Sequence, residues 1–165
     1  MRNRRLFSEL WSQDVLQGVL RAMAPFAALR VTAVLLRAVV VWFAILVLAS
    51  LNGAVRDLVV APRIGDTVAR AISTVILSGV ILLVTWYTIR WIGPQRPKQA
   101  LGVGAFWLVL TLCFEFGAGR FAGRPWSVIL ADYDVMRGRI WVLVPLVTFL
   151  APCWVGRMRG LWTAP

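Results

Sequence analysis

The stretch VTAVLLRAVVVWFAILVLASLNGA, residues 31–54, carries a single charged side chain, Arg37. Its length fits the roughly 20 apolar residues that an α-helix needs to cross about 30 Å of hydrocarbon. Three further apolar stretches follow it, at about residues 71–91, 100–117 and 140–155. The sequence therefore predicts an all-α, polytopic membrane protein, in which residues 31–157 form an antiparallel bundle of four transmembrane helices.

The composition agrees with this class. Of the 165 residues, 60% are hydrophobic and 15% are charged, and the mean hydropathy is +0.78. A soluble domain is closer to half apolar and a quarter charged. Four spans use about half of the chain, so we expect short loops and no separate soluble enzyme domain.

Two terminal segments flank the predicted spans. Residues 1–30 form a cytoplasmic segment in which Ser12 is a plausible helix N-cap and Pro25 a plausible end. Between them, apolar residues recur on one helical face, which predicts a short amphipathic helix that lies at the membrane interface or covers the end of the bundle. Residues 158–165 are predicted to be a cytoplasmic tail.

The distribution of charge predicts the orientation. Eleven of the 18 basic residues fall on the side of the N-terminus, whereas five of the seven acids fall on the opposite side. The positive-inside rule then places both termini in the cytoplasm. Because the net charge of +11 is spread over every loop, we attribute it to topology and anionic lipid, and we expect no nucleic-acid partner. The expected partners are the lipid bilayer and either another membrane protein or further copies of this chain.

Missing residue types exclude several kinds of chemistry. The chain has no histidine and only two cysteines, Cys113 and Cys153, which form no CxxC pair. Histidine-ligated haem or zinc, histidine base catalysis and a cysteine-rich metal site are therefore excluded. The sequence also shows no pair of nucleophile and base. We expect no cofactor, no metal and no disulfide between the two cysteines, which lie at different predicted depths.

Glu115 is the only acid inside an apolar stretch. It shares a helical face with Gly104, Leu108, Thr111 and Ala118, a small and polar face that is expected to point into the bundle. An intramembrane acid is by default a functional-site hypothesis, here for binding a cation or carrying a proton. The alternative is a structural ion pair between Glu115 and Arg120 or Arg56 at the ends of the helices.

A polar cluster is predicted at the outer face of the membrane. It is open to two interpretations, a pocket for a polar ligand, headgroup or partner, and a set of helix caps and salt bridges. Its members are Asn52, Arg56, Asp57, Glu115, Arg120, Asp132 and Tyr133.

Three further patterns complete the prediction. The second span carries Ala71, Thr74, Ser78 and Thr85 on one face, which indicates close helix packing or, alternatively, a polar pore lining. Trp141, near the start of the last span, fits an aromatic belt at the interface. Pro125 is suited to begin a short helix in the loop before that span.

Several short segments carry a likeness to known sequences. They are Phe114-Glu115-Phe116-Gly117, Asp132-Tyr133, Gly138-Arg139-Ile140-Trp141, Asn52-Gly53 and Ile92-Gly93-Pro94. Together they resemble an uncharacterised family of small four-span proteins of the bacterial inner membrane. The resemblance implies that location and no particular activity. The leading functional hypothesis is a non-enzymatic accessory or structural subunit, and the alternative is a small transporter or channel that uses Glu115.

Overall fold

A computed structural model describes residues 13–131, 133–134 and 140–162. Within these ranges every regular element is helical, so the all-α prediction is confirmed. In chain order the elements are α1 (Gln13–Val55), a π-helical turn (Arg56–Val60), α2 (Ala61–Ile64), α3 (Asp66–Ile92), α4 (Pro97–Phe121), α5 (Trp126–Ala131) and α6 (Leu143–Met158).

The chain divides after Leu36 into two compact units. The first unit contains the N-terminal part of α1. The second unit contains the rest of α1 and all the other elements. Every contact described below lies within the second unit.

Three helical stretches are long and apolar enough to cross a membrane. They are Leu29–Ile64, Asp66–Ile92 and Pro97–Phe121, and they correspond to the first three predicted spans. The fourth apolar helix, α6, has 16 residues, which at 1.5 Å per residue extends about 24 Å. The fourth span and the antiparallel bundle therefore stay predictions.

Two predicted helix ends are wrong. Helix α1 runs through Pro25 without a break, so the predicted amphipathic helix is not a separate element. A proline removes one backbone hydrogen bond, and the long apolar continuation of α1 outweighs that loss. The predicted loop after residue 54 is also helical as far as Ile64. The charged residues of this segment favour contact with water, but charge does not break a helix. Pro62 does not break it either, because it lies in the first turn of α2, where a missing N–H is tolerated.

Two glycines make the turns that separate the long helices. Gly65 alone separates α2 from α3, with a φ of 85° that other residues rarely adopt. Gly93 ends α3 in the left-handed conformation, and its N–H donates a hydrogen bond to the carbonyl oxygen of Ile89. Pro97 then begins α4, so four residues join α3 to α4.

Helix α6 packs against both α3 and α4. The closest approach is at Gly104 of α4, where a Cβ atom would lie 1.9 Å from the carbonyl oxygen of Phe149 in α6. Gly104 is buried, as predicted for its face. Three residues farther along α4, Trp107 is fully buried and its indole N–H donates to the carbonyl oxygen of Ala38 in α1, 2.8 Å away.

The polar side chains of the interior bond to their own helices. Thr85 and Thr148 are buried, and each hydroxyl donates to the carbonyl oxygen four residues earlier, as does half-buried Ser78. This pattern keeps hydroxyls satisfied where water is absent. Thr74 is also buried, so the face predicted for the second span points into the interior. The outer surface is apolar, with Phe43, Val75 and other large side chains more than half exposed.

Arginine and tryptophan contacts close the end of α3 that lies next to Gly93. The Arg37 guanidinium donates to the carbonyl oxygen of Trp91 at 2.9 Å and lies over its ring. Arg159 lies over the ring of Trp86 in the same way, with its carbon Cζ 5.2 Å from the ring centre. Cations at a helix C-terminus complement the helix dipole, so both contacts stabilise this end of α3.

Candidate functional site

A cavity of about 790 Å³ lies in the second unit, at the ends of α3 and α4 that are remote from the Gly93 turn. The π-helical turn, the start of α3, the end of α4 and the segment that precedes α6 contribute its walls. Small residues leave the space open. The lining residues are Gly53, Arg56, Asp57, Asp66, Thr67, Arg70, Ala71, Thr74, Glu115, Ala118, Gly119, Ala122, Arg124, Ile129, Tyr133, Ile140 and Trp141.

The π-helical turn supplies the first charged pair. Arg56 Nε donates to Asp57 Oδ1 at 2.8 Å, and Arg56 Nη2 donates to Asp57 Oδ2 at 3.2 Å. Such a two-point contact fixes the plane of both groups. The Arg56 side chain is 19% exposed and the Asp57 side chain 58%, so the arginine forms part of the wall while the carboxylate reaches the opening. Single π-helical turns are frequent at functional sites.

The first turns of α3 supply the second charged pair. Arg70 Nε donates to Asp66 Oδ2 at 2.9 Å, across one helical turn. Asp66 lies in the first turn of α3, where the helix dipole favours a negative charge. Arg70 and Arg124 also act electrostatically on the Asp57 carboxylate, which places the charged groups of three elements around one opening.

Glu115 is held by two neutral hydrogen-bond donors. Its Oε2 accepts from the hydroxyl of Tyr133 and from the indole N–H of Trp141, the latter at 3.3 Å. The Tyr133 ring packs against Phe116, with ring centres 6.0 Å apart. This packing orients the hydroxyl towards the carboxylate. Glu115 thereby links the end of α4 to two residues of the segment between α5 and α6, Tyr133 and Trp141.

Arg120 is not the partner of Glu115, and that part of the prediction is wrong. Its Nη1 donates to the carbonyl oxygen of Arg124 at 2.9 Å, and its guanidinium lies over the ring of Trp126. Five residues after Glu115, Arg120 is one and a half helical turns away and faces elsewhere. The ion pair between Glu115 and Arg56 stays a prediction.

The cavity brings together four of the seven residues predicted for the polar cluster. Arg56, Asp57, Glu115 and Tyr133 line it. Asn52 does not, because its Nδ2 donates to Ser73, at 2.6 Å to the hydroxyl and 3.2 Å to the carbonyl oxygen. Arg120 also lies outside the lining. Asp132 falls outside the described residues.

Several lining residues were not part of the predicted cluster. Arg70 and Thr74 follow Asp66 at intervals of four residues, a spacing that places all three on one face of α3. That spacing is a signal from which they could have been found. Trp141 was assigned to an interfacial belt, yet its N–H binds Glu115. For Arg124 the sequence holds no comparable signal, because it follows the turn at Gly123.

The cavity carries charged groups that can bind a ligand. Three arginines and three acids line it, and the described residues contain no group of acids, cysteines or histidines that could hold a metal ion. Arginines offer hydrogen-bond donors to anions, and carboxylates offer acceptors to cations. The geometry therefore suits a small ligand that carries polar or charged groups.

Fold and cavity together define an all-α protein with three helices capable of crossing a membrane and, at one end, a cavity lined by charged and small apolar residues. No family model, curated protein or solved structure matches the chain.

Proposed function

We propose that this chain is a non-enzymatic membrane protein, an accessory subunit that binds a polar ligand in the cavity. The observation that carries the proposal is the cavity itself, in which charged residues from three helices surround a volume of about 790 Å³. Ligand sites in proteins typically measure about 300–1,000 Å³.

The proposal includes a membrane topology. In it, α6 is a fourth span that runs antiparallel to α4, both termini lie in the cytoplasm, and the membrane is the inner membrane of a bacterium. The apolar exposed surface supports the membrane location, and the excess of basic residues beside the termini supports the orientation. The resemblance to small four-span bacterial proteins supports the same setting.

Native mass spectrometry of the chain, purified in mild detergent, tests the binding function. We expect a bound small molecule on the wild-type protein. Ala118→Trp would fill part of the cavity, because Ala118 lines it, and should remove that mass. Val109→Trp is the matched control, since Val109 is an exposed residue of the same helix outside the cavity lining.

The proposal fails if wild-type protein carries no bound molecule, or if Ala118→Trp retains it as well as Val109→Trp does. Circular dichroism of each variant confirms that the helices are intact. The same preparation shows whether a membrane-protein partner or a second copy of the chain remains attached.

One observation favours a second candidate function, proton- or cation-coupled transport. Glu115 is half-buried and lines the cavity beside helices capable of crossing a membrane, a position in which a carboxylate can exchange a proton or a cation. Flux measured in sealed vesicles with an imposed pH or sodium gradient separates the two candidates. Flux that Glu115→Gln abolishes supports transport, and absence of flux supports the accessory role.

A further inference from the structure

Two charged groups in the cavity wall keep unused hydrogen-bonding capacity. Asp66 binds Arg70 through Oδ2, which leaves Oδ1 without a partner among the described residues. The Arg124 guanidinium makes no hydrogen bond or ion pair with the described residues, although its backbone oxygen accepts one from Arg120. Among the described lining residues, one carboxylate oxygen of Asp66 and the guanidinium of Arg124 therefore lack a hydrogen bond to the protein.

The described part of the cavity lining carries as many positive as negative groups. Among the described lining residues, three arginines face three acids. A ligand with a net charge would add a charge that these groups do not compensate as a set. A dipolar ligand, with one positive and one negative group, adds no net charge and can bind both Asp66 Oδ1 and the Arg124 guanidinium.

We propose that the ligand is a zwitterion that carries a phosphate and a primary ammonium group, as in the phosphoethanolamine headgroup. This inference rests on the proposed ligand-binding function. The phosphate oxygens accept hydrogen bonds from the Arg124 guanidinium, whose forked donors match a phosphate. The ammonium donates to Asp66 Oδ1. The group can arrive on a membrane lipid or as a free soluble molecule.

The position and walls of the cavity fit this ligand. The cavity lies at the ends of two helices capable of crossing a membrane, α3 and α4, which is where lipid headgroups are found. Ala118, Ala122 and Ile129 add an apolar part to the wall, suited to the carbon atoms next to the phosphate. A quaternary ammonium has no N–H to donate, so a phosphocholine group cannot make this hydrogen bond to Asp66.

Lipid retention in nanodiscs tests the inference. The probe is an equal mixture of phosphatidylethanolamine, phosphatidylcholine and phosphatidylglycerol, and native mass spectrometry identifies the lipid that stays bound. We expect phosphatidylethanolamine to be retained about tenfold or more over each of the others, as loss of one charged hydrogen bond predicts. Asp66→Asn should reduce the preference to near unity, because Asp66 contacts the ammonium. Arg124→Gln should instead lower the retention of all three lipids, because each of them carries the phosphate.

Arg63→Gln is the matched control for charge. Arg63 lies on α2 outside the cavity lining, and its guanidinium donates to Val59 of its own helical segment. This variant loses one positive charge and should keep the full preference. Asp66→Asn retains an oxygen that can accept from Arg70, so the start of α3 should remain intact, and circular dichroism verifies this.

A competition arm identifies the source of the ligand. If glycerophosphoethanolamine in solution displaces the bound lipid and glycerophosphocholine does not, the site accepts the free group as well as the lipid. If neither displaces it while the lipid preference holds, the source is the lipid. Equal retention of the three lipids, a preference that survives Asp66→Asn, or lipid retention that Arg124→Gln leaves unchanged overturns the inference. A different bound molecule that Ala118→Trp removes would overturn it too, while leaving the proposed function standing.

Discussion

The indole N–H of Trp107 donates a hydrogen bond to the carbonyl oxygen of Ala38, 2.8 Å away, and both residues are fully buried. The bond joins α4 to α1 in the interior. Because the carbonyl of Ala38 lies within a helix, it also belongs to a backbone ladder. Trp107 thus combines a large apolar ring with a donor that finds its acceptor on a neighbouring helix.

Trp107→Phe is expected to destabilise the protein by about 1–2 kcal/mol, from the lost hydrogen bond and the smaller ring. Trp154→Phe is the control, because Trp154 is 56% exposed, and its effect should stay within about 0.5 kcal/mol. Unfolding in mixed micelles with increasing SDS, followed by circular dichroism, gives both values. Equal midpoints for the two variants would show that the bond to Ala38 adds nothing.

Gly104→Ala is expected to separate α4 from α6. The new Cβ atom would lie 1.9 Å from the carbonyl oxygen of Phe149, and backbone must move to accept it. Such overpacking costs about 1–3 kcal/mol, which the same SDS titration measures. Gly102→Ala is a matched control on the same helix, because nothing lies within 4 Å of its added Cβ. That variant should be unchanged or more stable, by up to about 1 kcal/mol.

The spans and the cavity were predictable from the sequence to different degrees. Hydropathy is a local property, so the three long apolar helices follow from the order of residues in each stretch. The membership of the cavity depends on the direction in which each side chain points. Asn52 was placed at the depth of Arg56, yet one residue turns a helix by about 100°, and Asn52 faces Ser73 while Gly53 faces the cavity. The depth of a residue along a span is predictable from the sequence, but the direction in which its side chain points depends on how the helices pack.

Glu115 is expected to contribute to stability through Tyr133 and Trp141. Glu115→Gln keeps an acceptor oxygen and should cost about 1 kcal/mol or less. Glu115→Ala leaves both donors without that acceptor and should cost about 1–3 kcal/mol. Tyr133→Phe is the control, since it removes one donor and keeps the ring that packs on Phe116, and its cost should fall between these two. Equal stability of Glu115→Ala and the wild type would contradict this role.

The number of membrane crossings follows from where the C-terminus lies. Helix α6 is short for a span, but Val144, Thr148, Ala151 and Val155 form a buried face along it, and α6 packs against both α3 and α4. Neighbouring helices therefore cover one side of it, and a locally thinner bilayer accommodates a length of about 24 Å.

Reporter fusions at Met1 and Pro165 are accordingly expected to give the same cytoplasmic signal. Insertions after Gly65 and after Gly123, in the turns that follow α2 and α4, should give the opposite signal. The insertion after Gly93 is the internal control and should match the termini. With three spans instead of four, the fusion at Pro165 would report the side opposite to Met1. That result would place α6 outside the membrane and would end the four-span topology.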